Sequence, residues 1–418
     1  MIRFSPAADP EVTVVMVMYG RWDWVQRTLA ALAEHTDAKI DVIVVDNPHP
    51  KQADTGDRLA SDVGGVTLVR NETNMGFAAA ANIGARRART PFLCFLNPDV
   101  LVTPGWLDPL VRRLKGPAVA ATTPLLLDLD GLVQDAGSLL GRDGRTVALG
   151  RGGSPDDPAY RFARDVDYGT GACLLVDRAR FEEVGGFDES YYPAYAEDVD
   201  LCLRFAQAGL RTVYEPASAV QHAGGVTSSP DEIEEMVTRS TDFLRSRWSW
   251  NLNRRPYLDD WEHRFNRAIA ARDAEALDRF LIVLDRVPEP GDAGQQVASF
   301  LRSRWPRARV TIAAAEAIDR DGWATDDLLA EGIEVAADPG EAWFADRTFH
   351  FTTVITDADG EGRFDDLLER TQPQAGKLSL DDLASSDEAA ITRLAETGVA
   401  PVRVSPTQPA PRAEAASP

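Results

Sequence analysis

The sequence has few cysteines, few basic residues for its length and no long apolar segment. Its three cysteines, Cys94, Cys173 and Cys202, are too few for a disulfide framework and form no CxxC pair of the kind that binds zinc. We therefore expect them to be reduced core residues of a cytoplasmic protein. The longest apolar runs, Val12–Met18 and Phe92–Leu96, fall far short of the ~20 residues that a membrane span requires. The N-terminus also lacks the basic and apolar regions of a signal peptide.

Basic charge is scarce, since 44 Lys and Arg stand against 66 Asp and Glu, for a net charge of −22. The acidic excess is spread along the chain rather than gathered in a tail. It argues against a nucleic-acid partner, because binding a phosphate backbone requires a basic surface. It also argues against attachment to an anionic membrane by charge alone.

The 418 residues are enough for two or three domains at roughly 150 residues each. Residues 1–229 alternate apolar runs with helical patterns, which predicts an α/β domain with a mostly parallel sheet and right-handed crossovers. Between about 125 and 167 the periodicity fades, which indicates a long loop or short hairpins. The charged stretch 230–278 predicts a helical linker, and renewed alternation predicts a smaller α/β domain over 279–404. The Pro-, Ala- and Ser-rich residues 405–418 are expected to be a disordered tail.

Polar residues follow two of the predicted strands, at the sheet edge where ligands of α/β proteins bind. Asp46 and Asn47 follow one strand, and Asn97 and Asp99 follow another. Asp99 can offer a carboxylate to a Mg²⁺ or Mn²⁺ ion bound to a diphosphate. Asn-Pro-Asp is also ordinary turn sequence, and by itself it supports both interpretations equally.

Three further segments carry candidate residues. Asp198 lies near the start of a predicted helix, where a carboxylate facing a cleft can remove a proton from an attacking hydroxyl. Capping and the helix dipole explain neighbouring Glu197, and a surface ion pair with Arg204 explains Asp200. The small-residue segment Asn74–Gly84 favours either phosphate binding or close helix–sheet packing. His222, after a predicted strand, gains a functional interpretation only if it shares a cleft with Asp99.

Seven motifs occur in one order along the first 230 residues. They are VTVVMVMYG from Val12, VVDN at Val44–Asn47, NMGFAAAANIG at Asn74–Gly84, FLNPDV at Phe95–Val100, GACLLVDR at Gly171–Arg178, GGFDE at Gly185–Glu189 and AEDVDLCLR at Ala196–Arg204. Together they resemble glycosyltransferase family 2, whose members are inverting enzymes with the GT-A fold, a Rossmann-like α/β arrangement. Within that family the chain is most similar to bacterial rhamnosyltransferases.

The resemblance implies roles for individual residues. Asp198 would be the general base, and Asp99 with His222 would hold a divalent cation, Mn²⁺ or Mg²⁺. The implied donor-binding residues are Tyr19, Gly20, Asp46, Asn74, Gly76 and Asn97. The sequence departs from the family pattern at Asn97, which replaces the first Asp of an Asp-x-Asp motif and removes one charge from the cation site. It also departs at Gly20, where the family often has Asn.

The implied activity is the inverting transfer of a sugar from a nucleotide-diphosphate donor to a hydroxyl of a cell-envelope glycan or a polyprenyl-linked saccharide. Thymidine-diphosphate rhamnose is the donor suggested by the resemblance, while galactose or glucosamine derivatives on a uridine carrier stay open. The implied location is the cytoplasm or the inner face of the cell membrane, with peripheral contact through the acceptor. Homo-oligomerisation, the acceptor and the linkage also stay open.

Two other functions compete with this interpretation. A nucleotidyltransferase acting on a sugar phosphate would share the nucleotide-binding sheet, but it would normally have a Gly-rich, basic triphosphate loop where this chain has GRWDW at Gly20–Trp24. A non-catalytic glycan-binding scaffold would not need to retain Asp46, Asp99, Asp198 and His222 together.

The second domain is more faintly similar to the N-terminal half of a GT-B glycosyltransferase, through FLIVLDRVPEPGDAGQ from Phe280. That half handles the acceptor in GT-B enzymes. We expect a module for acceptor docking or self-association rather than a second active site.

Overall fold

In a computed structural model, the chain forms two compact units, Met1–Phe265 and Asn266–Pro418. The structure describes residues 1–253 apart from 6–8, 37–39, 117, 158–159 and 162. Beyond 253 it describes residues 255, 279–284, 286–288, 292–304, 309–314, 328, 333–337, 353–356 and 377–379. The predicted tail, 405–418, and most of the predicted linker beyond 253 lie outside the described residues.

The first unit contains fourteen strands and seven helices among its described residues. The strands are β1 Ile2–Arg3, β2 Val12–Met18, β3 Ile40–Asp46, β4 Val63–Gly64, β5 Thr67–Arg70, β6 Phe92–Leu96, β7 Val100–Val102, β8 Val119–Leu127, β9 Val133–Asp135, β10 Ser138–Leu140, β11 Thr146–Ala148, β12 Arg164–Val166, β13 Cys173–Asp177 and β14 Arg211–His222. The helices are α1 Trp22–His35, α2 Thr55–Asp62, α3 Gly76–Ala85, α4 Leu107–Leu114, α5 Arg178–Glu183, α6 Glu197–Gln207 and α7 Pro230–Leu252.

A ten-stranded sheet organises this unit, in the order β12-β14-β8-β13-β6-β2-β3-β5, with β7 and β9 paired beside β14 and β8. The half made by β6, β2, β3 and β5 is parallel throughout. Every residue of β2 is buried, as expected for a strand covered on both faces. In the other half β13 runs antiparallel to both β6 and β8. The predicted α/β class and the Rossmann-like first domain are confirmed, and the sheet as a whole is mixed.

Close packing of helix α3 on the sheet explains most of the small residues in the segment Asn74–Gly84. A Cβ added at Gly84 would lie 2.4 Å from Val15 Cγ1 and 3.2 Å from Val45 Cγ2, so the helix backbone approaches β2 and β3 directly. The alanines at 78–81 are buried in the same layer. This part of the segment therefore follows the packing interpretation, and only its first residues reach the cavity described below.

The region of faded periodicity is a set of short strands. It contains β9, the β10–β11 hairpin and β12, which pairs with β14 at the edge of the sheet. Here Asp135 is buried, with one carboxylate oxygen accepting a hydrogen bond of 2.6 Å from Ser138 Oγ. Burial raises the pKa of Asp135 to about 6, against an ordinary value of 3.8.

This buried carboxyl predicts a pH-dependent stability. Between pH 3.8 and about 6 the folded chain holds more protons at Asp135 than the unfolded chain, so its contribution to the free energy of unfolding falls as the pH rises. The full loss is roughly 3 kcal/mol. We expect Asp135→Asn to remove this slope and to be at least as stable as the wild type at pH 8. Urea unfolding of both proteins across pH 4.5–8 measures the difference, and a difference that is constant with pH would contradict the assignment.

Helix α7, expected to be part of a linker, packs on the first unit. Its residues Leu244, Trp248 and Leu252 share a buried cluster with Val199 and Leu203 of α6. Ser229 caps the helix, and Glu232 bonds back to the Ser229 backbone. The helix predicted from residue 230 is present, and the first unit continues past residue 229 to Phe265.

The second unit contains a parallel sheet in the order β17-β16-β15-β18-β19. Its described elements are β15 Arg279–Leu284, α8 Ala293–Arg304, β16 Arg309–Ala314, β17 Ile333–Ala337, β18 Thr353–Thr356 and β19 Lys377–Ser379. Leu301 of α8 packs with Ile282 and Ile312 of the sheet, as in a small Rossmann-like domain. Among the helices that the structure describes in either unit, none combines the length and apolarity needed to cross a bilayer.

Candidate active site

A cavity of about 860 Å³ opens at the carboxyl ends of β2, β3 and β6 and is closed on its other side by α6 and α7. Seven of the nine predicted site residues line it. They are Tyr19, Asn74, Gly76, Asn97, Asp99, Asp198 and His222. The chain therefore brings together side chains that are as much as 203 positions apart, counted from Tyr19 to His222.

Asp99 and His222 form a pair in the cavity wall. Asp99 is buried, and its Oδ1 lies 3.4 Å from His222 Nε2. The other carboxylate oxygen accepts a hydrogen bond of 3.1 Å from the Gly224 backbone N–H. The pairing of β7 with β14 sets Val100 opposite His222, which places Asp99 beside the imidazole.

These two side chains fit a cation that is also held by a diphosphate. Such ions usually take one or two protein carboxylates and complete their shell with phosphate oxygens and water. Asp99 supplies a carboxylate oxygen and His222 an imidazole nitrogen, both facing the cavity. Among the described residues no cluster of three or more His, Cys, Asp or Glu side chains is arranged to hold a metal alone. Asp99 and His222 supply two ligands, so a cation held there would need its other ligands from a bound substrate or water.

Asp198 lines the cavity from the first turn of α6. Its Oδ2 accepts a hydrogen bond of 2.8 Å from the Gly171 N–H, and its Oδ1 accepts one of 2.8 Å from the Val199 N–H. Each oxygen keeps a lone pair for a further partner. Burial raises the pKa of Asp198, and the backbone donors moderate the rise. A fixed carboxylate of raised basicity is suited to accept a proton.

Glu197 is buried next to Asp198 and also lines the cavity. Its Oε2 finds no hydrogen-bond partner among the described residues. Burial, reinforced by the charge of Asp198, raises the pKa of Glu197 well above its ordinary value. Glu197 therefore keeps its proton more readily than an exposed glutamate, which leaves Asp198 as the carboxylate suited to ionise.

The backbone before α6 is strained at two successive residues. Tyr195 and Ala196 have φ angles of 76° and 65°, in the left-handed region that residues other than glycine avoid. Each such residue costs on the order of 1–3 kcal/mol, and such residues concentrate at functional sites. These two residues lead directly into α6, whose first two residues, Glu197 and Asp198, line the cavity. The sequence does not predict this left-handed backbone, because neither Tyr195 nor Ala196 is a glycine.

Asn47 organises the opposite wall, a role that sequence reasoning did not assign. Its buried amide donates to the Gly76 carbonyl and accepts from Asn71 Nδ2 and the Met75 N–H. The end of β3 is thereby tied to the turn before α3. Gly76 has a φ of 76°, and a Cβ there would lie 2.8 Å from the Pro193 carbonyl oxygen, so only glycine fits. The turn at Gly76 also joins the two walls of the cavity.

Two predicted donor-binding residues, Gly20 and Asp46, are not among the residues that line the cavity. Gly20 has a φ of 65° and packs against His49 and Gln52. Asp46 ends β3 and turns toward α2, where a Cβ on Gly56 would lie 2.2 Å from its Oδ2. Burial raises the pKa of Asp46, and Arg70 opposes the rise. Their proposed role in donor binding stays a prediction.

The surface ion pair predicted for Asp200 is wrong. The Asp200 side chain is 0% exposed and Arg204, its partner at 2.7 Å, is 13% exposed. Arg247 Nε and Trp248 Nε1 of α7 also donate to Asp200 Oδ1, each at 2.8 Å. The spacing of four residues correctly indicates the Asp200–Arg204 contact, but α7 covers it.

The part of the cavity wall formed by α7 was also not predicted from the sequence. One face of α7 lines the cavity with Glu232, Glu235, Met236 and Arg239. Their spacing of three, four and seven residues is that of one helix face. This spacing is the signal that could have found them, but in a charged helix it has no apolar pattern to set it apart from a solvated surface.

Comparison with known proteins decides the family. Residues 13–130 match the model of the glycosyl transferase family 2, and residues 163–306 match that of the glycosyl transferase family group 2. The chain belongs to glycosyltransferase family 2. This glycosyltransferase is 34% identical over 248 residues to the N-acetylglucosaminyl-diphospho-decaprenol L-rhamnosyltransferase of Mycobacterium tuberculosis, covering 54% of the chain and 80% of that protein.

Two further proteins are less similar to the glycosyltransferase. Rhamnosyltransferase WbbL of Escherichia coli is 26% identical over 230 residues, covering 50% of the chain and 83% of that protein. Among solved structures, mannosyltransferase PcManGT of Pyrobaculum calidifontis superposes with a TM-score of 0.42 at 18% identity, covering 78% of the chain and 87% of that structure. The resemblance to rhamnosyltransferases of family 2 is confirmed by the two sequence relatives.

Proposed function

We propose that this glycosyltransferase moves a sugar from a nucleoside-diphosphate donor to an acceptor hydroxyl in a single inverting displacement. The observation that carries the proposal is the shared cavity, where Asp198 faces the same space as Asp99 and His222. A base and a charge-stabilising pair in one cavity serve the two ends of such a displacement. They let the acceptor lose a proton while the leaving diphosphate gains charge.

Asp198 acts as the general base in this proposal. The acceptor hydroxyl donates its proton to a carboxylate oxygen as the hydroxyl oxygen bonds to the anomeric carbon. The bonds from Gly171 and Val199 hold the carboxylate in one orientation, which fixes the approach of the acceptor. A positioned base contributes about 10²- to 10⁴-fold to such a step.

Asp99 and His222 would hold a divalent cation, Mn²⁺ or Mg²⁺. When bound, the cation supplies Lewis-acid stabilisation to the leaving diphosphate. Asn97 would contribute to donor binding as a neutral group, in place of the charged aspartate of the family pattern. The turn with Asn74 and Gly76 presents backbone to the donor on the opposite wall.

The relatives suggest the substrates. The M. tuberculosis relative is named as a rhamnosyltransferase acting on N-acetylglucosaminyl-diphospho-decaprenol. We propose a cell-envelope glycan or a polyprenyl-linked saccharide as the acceptor and thymidine-diphosphate rhamnose as the first donor to test. The test incubates each donor with a polyprenyl-diphosphate N-acetylglucosamine acceptor and identifies the products. Release of nucleoside diphosphate and inverted anomeric configuration support the proposal, whereas release of nucleoside monophosphate or retained configuration contradicts it.

If Asp99 binds the cation, Asp99→Asn should lose the increase in nucleotide affinity that Mn²⁺ gives. We expect nucleoside diphosphate to bind more tightly with Mn²⁺ than without it in the wild type, and the variant to lose most of that gain. The physical reason is that the amide keeps the shape of the carboxylate but not its charge. Calorimetric titration of the nucleotide with and without Mn²⁺ measures both affinities. Equal metal dependence in the two proteins would remove Asp99 from the cation site, and Asp130→Asn, at an exposed turn position, serves as the control.

A further inference from the structure

Gln134 lies behind His222 and belongs to none of the motifs that point to the site. It is the central residue of β9, and its amide makes two contacts with the same histidine. Its Nε2 donates to the His222 carbonyl at 3.1 Å, and its Oε1 lies 2.7 Å from His222 Nδ1. Gly224, whose N–H bonds to Asp99, packs beside the same amide.

The first of these contacts fixes the orientation of the amide. A backbone carbonyl only accepts hydrogen bonds, so the amide nitrogen of Gln134 must face it. The amide oxygen then faces His222 Nδ1. The reversed amide would set oxygen against oxygen at the carbonyl, and it would be disfavoured.

The second contact then fixes the tautomer of the imidazole. An amide oxygen carries no hydrogen, so the 2.7 Å contact is a hydrogen bond only if His222 Nδ1 carries the proton. In the neutral ring this leaves the lone pair on Nε2, and Nε2 is the atom 3.4 Å from Asp99 Oδ1. Asp99 Oδ2 is engaged by the Gly224 N–H, so Oδ1 is the oxygen left toward the ring. Two electron-pair donors therefore face each other across a gap.

We propose that Gln134 is a positioning residue that holds His222 in the Nδ1–H tautomer, with Nε2 and Asp99 Oδ1 ready to share a divalent cation. The imidazole tautomer and ring plane are set from behind by a neutral amide. Partners of this kind are worth roughly 10- to 100-fold in metal affinity at other sites. The inference rests on the proposed function only in taking Asp99 and His222 as the cation's ligands.

The tautomer is tested first, without metal or activity. In protein labelled with ¹⁵N-histidine, the two ring nitrogens of a neutral histidine give distinct protonated and unprotonated signals. His222→Asn assigns the signals of His222 among the five histidines. We expect Nδ1 of His222 to be protonated and Nε2 unprotonated at pH 8. A protonated Nε2 with an unprotonated Nδ1 overturns the inference, and this measurement needs no variant of Gln134.

Two substitutions then separate positioning from mere support of β9. Gln134→Leu keeps the volume but removes both contacts, so we expect a mixed or Nε2–H tautomer and a roughly 10- to 100-fold weaker binding of Mn²⁺ in the presence of nucleoside diphosphate. Gln134→Glu still offers an acceptor to Nδ1 but loses the bond to the His222 carbonyl, so it should retain the tautomer and bind Mn²⁺ more tightly than Gln134→Leu. Asp135→Asn, in the same strand but bonded to Ser138 instead, should leave the His222 signals unchanged.

Measuring Mn²⁺ binding by electron paramagnetic resonance distinguishes the remaining outcomes. If Gln134→Leu folds and binds Mn²⁺ as tightly as the wild type, Gln134 has no positioning role. If the wild type itself binds no Mn²⁺ with nucleoside diphosphate, the cation assignment of the proposed function is contradicted, and this inference with it. Sugar transfer that persists without any cation would contradict both, whereas loss of affinity in Gln134→Leu together with rescue by Gln134→Glu supports both.

Discussion

Asp198→Asn is expected to lower the turnover of this glycosyltransferase by about 10²- to 10⁴-fold while leaving donor affinity nearly unchanged. The amide oxygen can accept from only one of the Gly171 and Val199 N–H groups, so the variant loses one of these two bonds while the side chain keeps its shape. It cannot take up the acceptor proton. Turnover with saturating donor and acceptor measures the effect, and calorimetric titration of the nucleotide measures the affinity.

Glu235→Gln is the matched control, because Glu235 is another carboxylate of the same cavity with no assigned role in the reaction. If the total negative charge of the cavity mattered more than a single base, both variants would lose activity alike. Unchanged turnover in Asp198→Asn would remove Asp198 from the proposed role.

The pH profile gives an independent reading of the same group. A base must be ionised to act, so the rate should fall as the pH falls through its pKa. Because burial raises the pKa of Asp198, this decline should occur at a higher pH than an exposed aspartate would give. The residual activity of Asp198→Asn should lack that decline.

The residues at strand ends could be located from the sequence because parallel strands all end at the same edge of the sheet. Once Phe92–Leu96 is read as a buried strand, Asp99 must emerge at the edge where parallel strands end, and β6 has the predicted bounds. Asp198 is predicted near the start of a helix, and α6 begins at the preceding residue, Glu197. Their meeting in one cavity followed from the resemblance to a known family rather than from any local pattern.

What the sequence could not provide are contacts made at long range by residues with ordinary local explanations. Gln134 sits in a three-residue strand within a region of faded periodicity, and its partner is 88 residues away. Tyr195 and Ala196 adopt left-handed backbone without the glycine that would predict it. In each case the local sequence is also compatible with a simpler structure. Only the packing of distant elements selects the structure that is observed.

Asp200 shows how such a contact joins the two helices of the cavity. Its carboxylate accepts from Arg204 on its own helix and from Arg247 and Trp248 on α7. Tyr191 O–H is a further donor, at 3.3 Å. All four partners are donors, and the side chain they surround is fully buried. The carboxylate thus accepts from donors on both helices and holds α7, which forms one wall of the cavity, against α6, which carries Asp198.

Asp200→Asn is therefore expected to destabilise the first unit by about 3–5 kcal/mol, the range found when one partner of a buried ion pair is removed. The amide offers one acceptor oxygen and turns an NH₂ group toward donors, which leaves Arg204 without its counter-charge. Urea unfolding followed by tryptophan fluorescence measures the loss. Asp242→Asn is the matched control, because Asp242 pairs with Arg245 on the same helix at 67% exposure and should change stability by no more than about 0.5 kcal/mol. Equal, small effects of the two substitutions would show that Asp200 does not hold α7 in place.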